Sequence, residues 1–294
     1  MKNLDSSQKI LFIDLDGTLW EHETLDVPAA DAVRKAQQAG NLVYLCTGRS
    51  AGQLPAPVLA AINFDGMITN GGGTARIGDK VIVEKVMAPA QVSYLTQLFQ
   101  AEDIPYLLET DGGVFGSPDM IDLINVFVRN VRRTKAAALL ESQADIEPAE
   151  PESALTELAD IGPASEARLD HVAKVVFCSE DSATYDRVAA LIGNDFYIVP
   201  SSIPMPGGSS GEIAPLGVSK GTAIAAVLDA LGLSKDQAIG IGDSHNDLEM
   251  FAACGTAVAM GNAVPELLAQ ADYVTAAVLD GGVSEALTKL GVIA

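Results

Sequence analysis

The residues best placed to do chemistry are Asp14 and Asp16, which close the apolar part of the stretch "ILFIDLDGTLW". They lie two apart, so in an extended chain their carboxylates point to the same side. Like charges a few ångströms apart repel, and burying either alone is costly. The pair therefore asks for a cation, a shared proton or open solvent. The plainer alternative is a solvated turn at a strand end, with Asp-Gly as its tip. A cation for such a pair would be hard and oxygen-seeking. Softer metals find little to bind, since the chain has only 3 His and 3 Cys, with no zinc-site spacing among them. Cys46, Cys178 and Cys254 sit in apolar stretches and read as reduced, buried thiols of a cytoplasmic protein.

The elements that must position these residues alternate between strand and helix. Ile10 to Ile13 form an apolar run of the kind that makes a strand buried on both faces. A helix follows over roughly 29–39, opened by Pro28 and closed by Gly40. "NLVYLCTGR" and "FDGMITNGG" then read as two further strands. Near the other end, "SKGTAIAAVLDALGL" is a helix starting near Ser219, and "DQAIGIGDSHNDLEMFAACG" gives a strand, a loop and a helix. "TAVAMGN" supplies another strand, and "ADYVTA" with a helix over about 282–290 finishes the chain. This alternation predicts an α/β fold, a Rossmann-like parallel sheet with helices on both faces. Ligands in that architecture bind beyond the carboxyl ends of the strands, where Asp14, Thr47 and Asp243 fall. The middle breaks the pattern with amphipathic helices ("PAQVSYLTQLFQAE", "SATYDRVAALIG"), separate strands ("KVVFCS", "FYIVPS") and a Pro/Glu/Ala-rich connection, "DIEPAEPESALTEL". Residues 88–212 therefore read as an inserted α+β domain between core segments 1–87 and 213–294.

A chain of 294 residues, 48% of them hydrophobic, has ample material for two domains. No apolar run approaches the ~20 residues of a membrane span, and "MKNLDSSQKI" lacks the apolar segment of a signal peptide. Lys and Arg number 18 against 39 Asp and Glu, for a net charge of -21. That balance opposes nucleic acid, whose binding is dominated by phosphate contacts, and anionic membranes as well. An anionic small substrate is compatible only where local cations overcome the global field.

"DLDGTL" from Asp14, "TGR" from Thr47, Lys220 opening a helix and "GDSHND" from Gly242 occur in the order of the four motifs of the haloacid dehalogenase-like hydrolases. "ITNGGG" before the insert and "EIAPLGVSKG" after it resemble the Cof-type phosphatases, the subgroup with a large α/β cap between the second and third motifs. The resemblance covers the core at both ends of the chain and is architectural within the cap. It implies a Mg²⁺-dependent phosphatase acting on a small phosphorylated metabolite, such as a sugar phosphate, through an aspartyl-phosphate. A phosphomutase or phosphotransferase shares every core residue, and a non-catalytic sugar-phosphate-binding regulator is the reading from outside enzymology.

On that resemblance Asp14 is the nucleophile, splitting hydrolysis into two easier steps. Asp16 is the general acid and base, protonated at the start through repulsion from neighbouring carboxylates. Gly17 allows a tight turn and Thr18 holds the loop. Thr47 and Gly48 offer a hydroxyl and a backbone N–H to phosphoryl oxygens, although a Thr there also serves as a helix cap. Arg49 has two readings, a phosphate contact or an ion pair with an acid. Lys220 holds Asp14 and the phosphoryl group by charge, at a helix start where a lysine opposes the dipole. The resemblance makes Asp243 a magnesium ligand with the Asp14 side chain and the Asp16 backbone carbonyl. Asp247 is a further ligand or acts through water. Asn246 contacts the phosphoryl group or orients the lysine, and His245 is expected to be exposed. Trp20 stands where the family usually has an aliphatic residue, either closing over the site or packing beneath it. The basic stretch "VRNVRRTK" in the insert is open to meeting an anionic substrate or to being a solvated helix face.

Overall fold

The computed structural model describes residues 8–21, 24–110, 112–141, 161–201 and 207–294, without the side chains of 131–141. The connection at 145–158 and most side chains of the basic stretch lie outside the described residues. The chain forms two compact units, Met1–Lys85 with Gly217–Ala294, and Val86–Leu216. No helix among the described residues is long and apolar enough to cross a membrane.

In chain order, the first unit opens with β1 (Ile10–Ile13), α1 (Val27–Gln38), β2 (Leu42–Cys46) and β3 (Gly66–Thr69), followed by the hairpin β4 (Thr74–Ile77) and β5 (Lys80–Glu84). The second unit contains α2 (Pro89–Ala101), β6 (Tyr106–Thr110), β7 (Gly113–Gly116), α3 (Pro118–Glu141), β8 (Ile161–Pro163), β9 (Val172–Ser179), α4 (Thr184–Ile192), β10 (Phe196–Pro200) and β11 (Ser209–Pro215). The first unit resumes with α5 (Lys220–Leu231), β12 (Ala238–Gly242), α6 (Leu248–Ala253), β13 (Thr256–Ala259), β14 (Tyr273–Val274) and α7 (Gly282–Lys289).

The sheet of the first unit has the order β14-β13-β12-β1-β2-β3-β4-β5. It is parallel from β14 to β3. The strand period of two sends Leu11 and Ile13 to one face, against Ala32, Val33 and Ala36 of α1 and Val283 and Leu287 of α7. Ile10 and Phe12 go to the other, against Ile224 and Val227 of α5 and Met250 of α6. Both faces are thus covered, as an all-apolar strand requires. The departure from the expected parallel sheet is the edge: β4 and β5 run antiparallel. Gly78 and Asp79 alone separate them, and a two-residue connection can only reverse the chain.

The sheet of the second unit has the order β8-β7-β6-β9-β11-β10, antiparallel except between β7 and β8. "KVVFCS" and "FYIVPS" are strands but not neighbours: Ser209–Pro215 lies between them. Val175 and Phe177 face α2 and α4 across one core, and Val176 and Cys178 face Met120 and Ile124 of α3 across another. Lys174 lies buried on the sheet between Glu212 at 2.7 Å and Glu109 at 3.3 Å. Burial opposes its charge, but the two glutamates outweigh that and hold the ammonium above its usual range. All three cysteines are buried free thiols.

Candidate active site

Because β1, β2, β3 and β12 are parallel neighbours, the residues that follow them emerge on one edge of the sheet: Asp14, Thr47, Asn70 and Asp243. The loops are stitched by backbone hydrogen bonds. Asp14 N–H donates to Ile241 at 2.9 Å, Thr47 N–H to Ile68 at 2.9 Å, and Asn70 N–H to the Arg49 carbonyl at 2.8 Å.

Asp14, Asp243 and Asp247 bring one carboxylate oxygen each to within 4.8 Å of one another. Lys220 meets two of them, with Nζ 2.9 Å from Asp14 Oδ1 and 2.6 Å from Asp247 Oδ1. Its side chain is fully buried there, a place an isolated lysine avoids. Burial opposes the ammonium, yet Asp14 and Asp247 outweigh it and hold the lysine charged. Burial also pushes the Asp14 carboxyl up to about 8, with Asp247 adding to the shift and Lys220 partly reversing it. Asp243 is raised by burial first and then by the charges of Asp14 and Asp247. One ammonium does not balance three carboxylates. The excess negative charge and the all-oxygen donor set suit a hard divalent cation, and Asp14 and Asp243 fit as its ligands. Asp247 differs from them. Its Oδ2 accepts the N–H groups of Asp243 and Ser244 at 3.0 Å each, while Oδ1 takes the lysine.

The position of Lys220 is set by its helix. Ser219 caps α5 through Thr222 N–H, and the Thr222 hydroxyl accepts from Ser219 N–H, which fixes the first turn. Gly72, at φ 105°, lets the loop after β3 press on this turn; a Cβ there would lie 2.0 Å from the Ser219 carbonyl oxygen. Gly17 does the same for the first loop. At φ 73° it turns the chain so closely past Asp243 that a Cβ would sit 2.3 Å from Asp243 Oδ2. Thr18 donates its hydroxyl to Asp243 Oδ1 at 3.3 Å, the loop-holding role expected of it.

Asp16 does not join the three clustered carboxylates. The strand ends at Ile13, and the Leu15 carbonyl accepts from Thr18, Leu19 and Trp20 as the chain turns. Asp16 meets a cation as well as the charge of Asp14. Arg49 Nε lies 2.8 Å from Asp16 Oδ2, and Nη2 lies 2.6 Å from Oδ1. The ion pair, one of the two readings of Arg49, is present. Thr47 is fully buried, and its Oγ1 accepts Arg49 N–H at 3.1 Å, which leaves the hydroxyl proton to donate elsewhere. Gly48 is half-buried between them. Asn246 accepts from the Ser244 hydroxyl at 2.9 Å, so its amide NH₂ is not spent on that contact. His245 is half-buried, with Nε2 3.6 Å from Glu266. Trp20 packs in the apolar core beside Leu15 and Leu19. Asn262 carries no motif signal, yet it donates to the Gly17 carbonyl at 2.9 Å and accepts from Val278 N–H at 3.2 Å.

Known proteins resemble the chain over most of its length. The profile of the haloacid dehalogenase-like hydrolases matches residues 11–287. The chain is 26% identical to the 5-amino-6-(5-phospho-D-ribitylamino)uracil phosphatase YwtE of Bacillus subtilis, over 96% of this chain and 98% of that protein. It is 27% identical to a phosphoglycolate phosphatase of Methanothermobacter thermautotrophicus, with 96% and 98% covered. In fold it is similar to a haloacid dehalogenase-like hydrolase from B. subtilis (TM-score 0.78, 22% identity, 96% and 100% covered). It is also similar to the subclass IIB sugar phosphatase BT4131 (TM-score 0.73, 21% identity, 97% and 100% covered). A match that runs through nearly the whole chain, insert included, settles the family: this protein belongs to the haloacid dehalogenase-like hydrolases, as a phosphoric monoester hydrolase.

Proposed function

We propose that this chain is a Mg²⁺-dependent phosphatase that hydrolyses a small phosphate monoester, a sugar phosphate or related metabolite, through an aspartyl-phosphate on Asp14. The observation that carries the reading is Asp14 itself, a buried carboxylate held at 2.9 Å by Lys220 among two further carboxylates. Asp14 and Asp243 would hold Mg²⁺ with the Asp16 backbone carbonyl, and Asp247 would anchor both Lys220 and the Asp243 loop. When bound, the cation supplies charge to offset that of the phosphoryl oxygens.

The chain's own groups do the rest. Lys220 keeps one Asp14 oxygen oriented, and the other attacks phosphorus in line with the leaving alkoxide. The P–O ester bond breaks as Asp16 delivers a proton to the departing oxygen. The Thr47 hydroxyl, Gly48 N–H and Asn246 amide donate to the phosphoryl oxygens as their geometry shifts. Asp16 then accepts a proton from water, whose oxygen attacks phosphorus and releases phosphate, restoring Asp14. The small phosphorylated substrates of YwtE and the phosphoglycolate phosphatase support the substrate class. A screen of phosphorylated metabolites, with released phosphate as the readout, tests the reading. Turnover is expected with Mg²⁺, none in excess chelator and none from Asp14→Asn. Full turnover in chelator would overturn it.

A further inference from the structure

Arg49 is the cation whose place in the chemistry motif order does not settle, and its surroundings do. Its side chain is only 5% exposed, whereas that of Asp16 is 38% exposed. Nε and Nη2 both go to the Asp16 carboxylate, and Nη1 donates to the Gln53 carbonyl at 3.1 Å. Its backbone is tied at both ends, the N–H to Thr47 Oγ1 and the carbonyl to Asn70 N–H. An arginine built to grip a substrate phosphate presents its donors to open space. Here the guanidinium is enclosed with its fork turned onto a carboxylate, and the carboxylate is the partner that reaches solvent.

We propose that Arg49 is a positioning residue that acts through Asp16 and not through the phosphoryl group. The inference rests on the phosphatase reading above. Asp16 stands on a turn beyond the strand end, where a short side chain has two free torsions and little to hold its plane. A bidentate guanidinium fixes that plane as no single donor does. In each proton transfer, one Oδ of Asp16 handles the proton while the other keeps one arm of the fork. With the acid the proton leaves Oδ for the ester oxygen, and with the base it arrives from water. A two-armed cation allows this exchange without losing the carboxylate, and a lysine ammonium, with no planar fork, does not. The two opening carboxylates are thereby assigned separate cations. Lys220 on α5 serves Asp14, and Arg49 beyond β2 serves Asp16.

The test is a double-mutant cycle with Mg²⁺ present, using wild type, Arg49→Met, Asp16→Asn and the double variant. Each is assayed on a sugar phosphate, and for the first-turnover burst on acetyl phosphate, whose leaving group needs no proton. Thermal unfolding of every protein accompanies the assays. Misplacing the acid–base group predicts that Arg49→Met lowers kcat on the sugar phosphate by about a hundredfold and leaves KM nearly unchanged. In the Asp16→Asn background the same change should add nothing, and the acetyl phosphate burst should persist. Arg49→Lys should not restore kcat, and it carries the cycle if Arg49→Met does not fold. Additive losses, a raised KM on both substrates and rescue by lysine would overturn the assignment in favour of a phosphate contact. Wild-type kcat in a folded Arg49→Met would overturn it as well. A wild type that releases phosphate from neither substrate would fail the phosphatase reading and this assignment with it.

Discussion

Two buried carboxylates, Asp14 and Asp247, share one ammonium beside the half-buried Asp243, so Lys220 carries stability as well as chemistry. Lys220→Met would leave Asp14 and Asp247 buried without their cation, a change that typically costs about 3–5 kcal/mol. Denaturant unfolding in chelator should show that loss, and saturating Mg²⁺ should recover part of it. A variant as stable as wild type in chelator would mean the carboxylates are not charged together. Asp16→Asn should act differently, because its side chain lies outside the cluster. It should leave the Mg²⁺-induced rise in melting temperature near wild type, at some cost in stability because the buried Arg49 loses its counter-ion, while lowering turnover of an alkyl ester by roughly a hundred- to ten-thousand-fold. At this scale the residue types were legible: carboxylates, a threonine and a lysine at strand and helix ends. Their partners were not. Arg49 and Asp16 lie 33 residues apart, Asn262 and Gly17 lie 245 apart, and no local pattern encodes such a pair.

Among the elements, the start of α5 and the loop after β3 are pressed together at Gly72. Gly72→Ala needs a left-handed backbone and drives Cβ into the Ser219 carbonyl, so it should displace the turn that carries Lys220. Loss of most activity is expected, along with a stability loss of about 1–3 kcal/mol. Gly71→Ala faces open space and should cost only about 1 kcal/mol, with activity kept. Equal effects from the two would show that crowding at Ser219 does not matter. The alternating strands and helices of this unit could be read because each buries a continuous apolar run or stripe. The β4–β5 hairpin was legible in principle from its two-residue Gly78-Asp79 connection. Ser209–Pro215 was not, since its glycine and the buried Glu212 break the apolar alternation, and Glu212 is buried only because Lys174 stands beside it.

The whole molecule consists of two units with separate cores, and every proposed metal ligand and candidate site residue lies in one of them. Unfolding should therefore not follow a single two-state transition. Mg²⁺ should raise the transition of the unit that holds Asp14 and Asp243 and leave the other in place. Lys174→Met should do the converse. It leaves Glu109 and Glu212 buried without their cation and should lower the second unit's transition by about 3–5 kcal/mol. Adding Glu109→Gln and Glu212→Gln should restore much of that. Calorimetry with and without Mg²⁺ reads all of this, and one transition shifted equally by metal and by Lys174→Met would contradict it.

The covalent role of Asp14 can be read from the mass of the enzyme caught between its two steps. Asp16→Asn is mixed with acetyl phosphate and Mg²⁺, quenched in acid and examined intact and as peptides. The protein should gain one phosphoryl group, placed on the peptide that carries Asp14 and absent when Asp14→Asn is combined with it. Turnover of acetyl phosphate by Asp16→Asn with no phosphorylated protein at any quench time, or with the phosphoryl group on another residue, would contradict that role of Asp14.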